Sequence, residues 1–269
     1  MSEDLYKDFF KDRFVVHHQA QKILDEMHHI FRMSKFNTRP KNLLIIADAG
    51  AGKTALSNAF TQSIVEEGAG NSQKLVLFQM PPVPSEKAIM FALLDKMGVD
   101  FVSNHTLENL KAVFCNVARD TGLSLILFDE FNNLLAAPKN KILGSMNLLK
   151  WIGNELHIPI IALGTKASNR LLTYDKQFTQ RYRVSGIGTW EDGDDFRSFV
   201  HTYLEQLPGT ELRTLTNSVF KILLASTSRT TNDIITVLSH SAFEQYTDRQ
   251  EESFPIIVKE VAAREGYLG

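Results

Sequence analysis

One cysteine in 269 residues leaves no partner for an internal disulfide, and that scarcity suits a reducing compartment. Cys115 follows Phe114 and precedes Val117 in a helical stretch, where a small core residue is a better reading than a nucleophile. Long apolar runs are missing too. No window approaches the roughly 20 residues of a membrane span, and the acidic opening Met1-Ser2-Glu3-Asp4 does not resemble a secretory signal. An excess of either charge is missing: 29 Lys and Arg against 31 Asp and Glu give a net charge of −2. No global field therefore draws the chain to nucleic acid, and any DNA contact must rest on a local patch.

Internal repeats and low-complexity segments are absent, as is metal-ligand spacing. His17-His18 and His28-His29 fall in a helical stretch where adjacent residues point different ways, with no Cys or carboxylate to complete a set. They read as solvated or nucleotide-adjacent. The carboxylates of Trp190-Glu191-Asp192-Gly193-Asp194-Asp195-Phe196 lack the glutamate that closes a calcium loop; they read as the dipole-complementing start of a helix. What remains is a soluble globular composition, 43% hydrophobic and 22% charged, long enough for one large domain or two smaller ones.

The most informative stretch is Leu43-Leu44-Ile45-Ile46-Ala47-Asp48-Ala49-Gly50-Ala51-Gly52-Lys53-Thr54. Its apolar run reads as a buried parallel strand, followed by a tight loop and a helical pattern. That context turns the string into a P-loop. In it, Ala49, Gly50, Ala51, Gly52, Lys53, Thr54 and Ala55 bind the nucleotide: backbone N–H groups and a helix start meet phosphate oxygens. Lys53 reaches the β- and γ-phosphates, and the Thr54 hydroxyl ligates Mg²⁺. Ala47 stands where the signature has its first glycine, which is tolerable if φ is negative there.

Along the chain, apolar spacing predicts a helix over 14–33, then a basic linker with Arg32, Lys35, Arg39 and Lys41 that Pro40 ends. Further expectations are a strand over 74–80 and a rigid Pro81–Pro84 turn. Helices follow over 85–97 and 106–118, the second capped by Asn104 or Thr106. A third strand, 123–128, runs into Asp129-Glu130. Carboxylates at the carboxyl edge of such a strand sit where ligands bind. Asp129 would hold Mg²⁺ in the Walker-B manner, and Glu130 would orient and polarise the attacking water. After a helix around Trp151 comes a fourth strand, 158–163. Thr165 at its end would face the γ-phosphate, cap the following helix, or do both. A short fifth strand precedes an all-helical tail over 211–224, 231–246 and 255–265. The change of class near Gly186–Trp190 predicts three parts: an N-terminal helical segment and linker (1–41), an ATPase domain (42–189) and a helical lid (190–269).

These strings together resemble the TniB/TnsC family of transposition AAA+ ATPases, over about Pro40 to Ala242. The P-loop and the Phe128-Asp129-Glu130-Phe131-Asn132 string are generic to P-loop proteins; Phe78-Gln79-Met80-Pro81-Pro82 and Gly153-Asn154-Glu155-Leu156 with Ile158-Pro159-Ile160 are the more specific. The resemblance implies a P-loop AAA+ fold: a parallel five-stranded sheet flanked by helices, then the small helical lid. It implies a cytoplasmic ATPase using ATP and Mg²⁺, with a turnover that this sequence's departures from the family pattern would weaken. Such a protein assembles with copies of itself on double-stranded target DNA. It recruits an integrase-fold transposase, often with a TniQ-type target selector. Arg181 matches the arginine presented to the neighbouring subunit's nucleotide, with Arg183 a less suitable stand-in. Asn132 stands where such sequences commonly carry histidine. The lid's Gly-x-Arg is missing, and Arg229 is the nearest substitute. Two other classes fit the residues: an ATP-dependent scaffold that does not hydrolyse, and a solitary P-loop NTPase or kinase. For DNA, Lys139 and Lys141, placed in the loop after Glu130, are the candidates.

Overall fold

In chain order, the elements of the computed structural model are α1 (Glu3–Phe10), α2 (His18–Ser34), β1 (Asn42–Ala47), α3 (Lys53–Glu66), β2 (Leu75–Gln79), α4 (Glu86–Lys96), α5 (Leu107–Thr121), β3 (Leu125–Asp129), α6 (Lys139–Leu156), β4 (Ile160–Gly164), α7 (Asn169–Tyr174), α8 (Lys176–Arg181), β5 (Tyr182–Ile187), α9 (Asp194–Glu205), α10 (Asn217–Ser226), α11 (Thr231–Thr247) and α12 (Phe254–Arg264). The structure describes residues 3–34, 36, 39–66, 75–100 and 105–266, without the side chains of 176 and 177. Lys35, Lys74 and Asn104, assigned above to the linker, a strand start and a helix cap, lie outside the described residues. The chain divides into two compact units. One is Lys22–Asp48 with Lys53–Ile187; the other is Met1–Gln21, Ala49–Gly52 and Gly188–Gly269.

The first unit is built on a sheet of order β2-β3-β4-β1-β5 in which every pairing is parallel. β1 and β4 are buried at every position, because helices cover both faces of a central parallel strand. Edge strand β2 instead alternates between covered and open positions, as one-sided packing demands. Phe78 and Phe128 meet edge to face at 4.3 Å across β2 and β3, and Phe178 stacks on Tyr182 at 4.2 Å. Ser85 accepts the Ala88 N–H and Thr106 the Asn109 N–H, so both helices start where a hydroxyl meets an orphan donor. Cys115 is buried in this core, and burial pushes its thiol up, the state of an inert core residue.

The second unit packs α9, α10, α11 and α12 around Phe199, Tyr203, Leu223, Leu238 and Val261. Helix α1, which sequence spacing did not reveal, joins them through Phe9, fully buried and 5.4 Å from the Phe243 ring. Arg213 closes the end of α9 by donating to the carbonyls of Leu204 and Leu207, each at 3.3 Å.

Several local expectations need correction. The helix expected from residue 14 begins at His18, whose N–H donates to Asp195 Oδ1 at 3.1 Å, and Val16 is 51% exposed. Asp195 thus supplies the first N–H with its acceptor from far along the chain. His17 and His28 are packed rather than solvated. His17 lies 4.6 Å from the Trp190 ring, while His28 lies 5.0 Å from Phe60 and its Nε2 bonds the Ser63 hydroxyl at 3.0 Å. Thr165 precedes a short 3-10 turn, but its side chain makes no capping bond. Lys139 and Lys141 do not lie in a loop: they occupy the first turn of α6.

Candidate nucleotide site

The carboxyl edge of the sheet gathers Lys53, Thr54, Asp129, Glu130 and Thr165. β1 ends at Ala47, which is buried and has a negative φ, so the Cβ that replaces a glycine is accommodated without strain. The loop beyond turns through Gly50 at φ 76° and Gly52 at φ 87°, left-handed values that only glycine adopts freely. Within its own unit the loop is anchored by the Asn232 N–H, which donates to the Gly50 carbonyl at 2.8 Å. A Cβ at Gly50 would meet Thr230 Oγ1 at 3.0 Å, whereas one at Gly52 would meet nothing within 4 Å.

Helix α3 opens with Lys53, only 7% exposed. Its ammonium donates to the Ala47 carbonyl at 3.0 Å and the Asp48 carbonyl at 2.9 Å. An ammonium has three donors, so one is left for an anion. Next to it, the Thr54 hydroxyl donates to Asp129 Oδ2 at 3.0 Å. Asp129's other oxygen accepts the Glu130 N–H at 2.8 Å. Hydroxyl and carboxylate are thus turned toward each other at the mouth of a cavity of about 470 Å³, which Glu130 and Ser57 also line. This donor set fits Mg²⁺, which takes one or two protein oxygens and leaves its other positions to phosphate and water.

Glu130 adopts φ 53°, a left-handed value uncommon for a residue with a Cβ and concentrated at functional sites. Its Oε2 accepts from Asn132 Nδ2 at 3.1 Å, and Asn132 Oδ1 accepts the Thr165 N–H at 3.1 Å. One amide therefore joins the carboxylate after β3 to the end of β4. Sequence reasoning noted Asn132 only as a departure from a family habit. The available signal was an amide two residues beyond the glutamate, and its second partner depends on β3 and β4 being neighbours. Lys166, paired with Asp48 at 2.8 Å, also went unnoticed.

Arg181 is not brought to this edge. It ends α8, immediately before β5, and Asn42 at the start of β1 is in register with Tyr182. Arg181 therefore lies at the amino edge. At a rise of about 3.3 Å per residue, the length of β1 puts it on the order of 15 Å from the carboxyl edge. Its Nη1 donates to Asn154 Oδ1 at 2.7 Å. Arg183 is engaged by Glu26 at 3.0 Å. Arg229, at φ 61°, donates through Nε to the Leu224 carbonyl at 3.0 Å. Lys139 and Lys141 are exposed, and as cations at a helix start they oppose its dipole. Among the described residues, no cluster of three or more His, Cys, Asp or Glu side chains could hold a metal. No helix among them is long and apolar enough to cross a membrane.

A family model described as the bacterial TniB protein matches residues 7–192. The chain belongs to the TniB family. No curated protein matches it. Among solved structures, this TniB-family chain is similar to the ORC1 protein of Aeropyrum pernix in complex with DNA. There the TM-score is 0.72 at 15% identity, over 97% of this chain and 69% of the other. The ORC2 protein of the same organism, in ADPNP–ADP complexes, gives 0.70 at 14% identity over 97% and 71%. Cdc6p of Pyrobaculum aerophilum gives 0.62 at 12% identity over 93% and 68%. These likenesses establish the fold: the TniB-family chain has the AAA+ ATPase architecture, a parallel five-stranded sheet flanked by helices with a helical C-terminal region.

Proposed function

We propose that this TniB-family protein is an ATP-dependent regulator of DNA transposition. It assembles with copies of itself on double-stranded target DNA when ATP is bound. In that state it recruits an integrase-fold transposase, with a TniQ-type selector, and it disassembles on hydrolysis. The observation that carries this reading is the placement of its charged groups. Lys53, Thr54, Asp129 and Glu130 share the carboxyl edge of the sheet, while Arg181 sits at the amino edge. One copy holds phosphates and a water-polarising carboxylate together but cannot bring Arg181 to them. A second copy can.

In this reading the loop from Ala49 to Gly52, with Lys53, Thr54 and Ala55, binds the nucleotide, and Thr54 and Asp129 hold Mg²⁺. The ion supplies neutralisation of charge on the β- and γ-phosphates. Glu130 keeps Oε1 free while Oε2 is bonded to Asn132, so one carboxylate oxygen is available to take a proton from water. Thr165 faces the phosphate end, positioned through its N–H to Asn132. Lys139 and Lys141 contact DNA phosphates; their place on the first turn of α6, where cations do not help the helix, favours a role toward an outside anion.

Imaging the protein on duplex DNA with ATP, ADP or neither, with phosphate release assayed in parallel, tests the whole reading. ATP-dependent assembly with phosphate release supports it. Assembly without release leaves a scaffold, and a monomer that turns over without DNA leaves a solitary NTPase.

A further inference from the structure

At the amino edge of the sheet lies a second cavity, of about 450 Å³. Arg39 and Lys41 enter it from the segment before β1, Gln180 and Arg181 from the end of α8, and Asn154 from α6, with Leu149 also lining it. Arg39 and Lys41 flank Pro40. Both line the cavity, and the fixed φ of proline stiffens the segment that carries them.

The charge here is unbalanced. Among the described residues no acidic side chain lines the cavity. Arg181 is held by the neutral amide of Asn154, and among the described residues no carboxylate pairs with Arg39 or Lys41. Several other cations of this unit are paired with carboxylates: Arg183 with Glu26, Arg119 with Glu155, Lys166 with Asp48. Three uncompensated cations around one concavity, in a chain of net charge −2, make a site for a compact polyanion. A duplex presents its phosphates along a convex ridge, whereas a concavity with cations from two chain segments suits the end of a triphosphate.

We infer that Arg39 and Lys41 join Arg181 in binding the terminal phosphates of the nucleotide held by a neighbouring copy. The site for the neighbour is then a three-cation pocket rather than a single arginine. The inference rests on the proposed assembly, and its test separates the two.

The full chain is titrated with ATP in the presence of duplex DNA, and assembly is followed by light scattering for the parent, for Arg39→Gln with Lys41→Gln, for Arg39→Lys with Lys41→Arg, and for Arg181→Ala. Losing charge-assisted contacts should raise the ATP midpoint of the double glutamine variant by about tenfold or more. The charge-keeping exchange should restore the parent midpoint, which a folding defect would not explain. An unmoved midpoint in the glutamine variant, with assembly lost in Arg181→Ala, overturns the inference and leaves the assembly reading intact. An unmoved midpoint in both, or a parent that stays monomeric with ATP and duplex, sinks the assembly reading and the inference with it. Duplex affinity is measured against salt at saturating ATP. A flattened salt dependence with an unmoved midpoint would assign Arg39 and Lys41 to DNA, and an equal loss of ATP affinity in dilute monomer would assign them to the chain's own nucleotide. Either result overturns the inference.

Discussion

The Thr54 hydroxyl and the Asp129 carboxylate, 75 residues apart in sequence, are hydrogen-bonded at 3.0 Å. The start of α3 and the end of β3 are thereby fixed against each other. Asp129→Asn keeps the shape and removes the charge. The Mg²⁺ concentration needed for half-maximal ATPase should rise at least about tenfold, in line with removing the negative charge from one of the few protein oxygens that hold the cation. A magnesium titration at fixed ATP reads it; an unchanged midpoint would remove Asp129 from the metal site.

Glu130→Gln should separate binding from chemistry. The amide can still accept from Asn132, so the local geometry survives, but nothing takes the proton from water. Phosphate release should fall on the order of 10²–10⁴-fold, while ATP-dependent assembly on DNA persists and outlasts that of the parent. Hydrolysis at the parent rate would show that another group does this work.

Mixing variants addresses the neighbour's contribution. Lys53→Ala removes the cation for the phosphates and should abolish nucleotide binding, yet it leaves Arg181 untouched. Arg181→Ala spares the P-loop. It should weaken assembly and slow hydrolysis, by as much as 10³–10⁵-fold if Arg181 behaves like the arginines of comparable NTPases. Co-assembled, the two should recover part of the lost activity. Mixed oligomers that form, as seen by labelled subunits, but stay inactive would exclude action between copies.

His17 makes the second unit sensitive to acid. Burial against Trp190 lowers its affinity for a proton, and the charge of Asp195 only partly offsets this. The folded state therefore favours the neutral ring. Its contribution to stability is complete above the unfolded value near pH 6.5 and is lost as pH falls through the lower folded value. Thermal melting followed by tryptophan fluorescence at pH 7.5 and 5.5 should show a drop for the parent that is smaller in His17→Phe. Equal drops would assign the acid sensitivity to other groups.

The strands and the P-loop were legible because their signals are local. A run such as Leu43–Ile46 carries its burial in its own composition, and Ser85 and Thr106 mark helix starts within a few residues. Helix α1 was not legible because Phe9 is satisfied by Phe243, more than 230 residues away. The start of α2 was misplaced for a similar reason, its first donor being met by Asp195. Of the candidate site, the gathering of Lys53, Thr54, Asp129 and Glu130 at one edge of the sheet could be read from residue type and order. The bridge through Asn132 could not, because it follows from the order of the strands, which apolar periodicity does not encode.

The separation of Arg181 from Glu130 across the sheet has an arithmetic consequence for any assembly built as proposed. An open row of n copies contains n − 1 complete sites, so one terminal copy always carries a nucleotide that no arginine reaches. Turnover per copy must then climb steeply as short rows lengthen and level off in long ones, and the incomplete end must keep its ATP longest. A closed ring has no such end. The dependence of specific activity on oligomer length would therefore report whether the assembly closes.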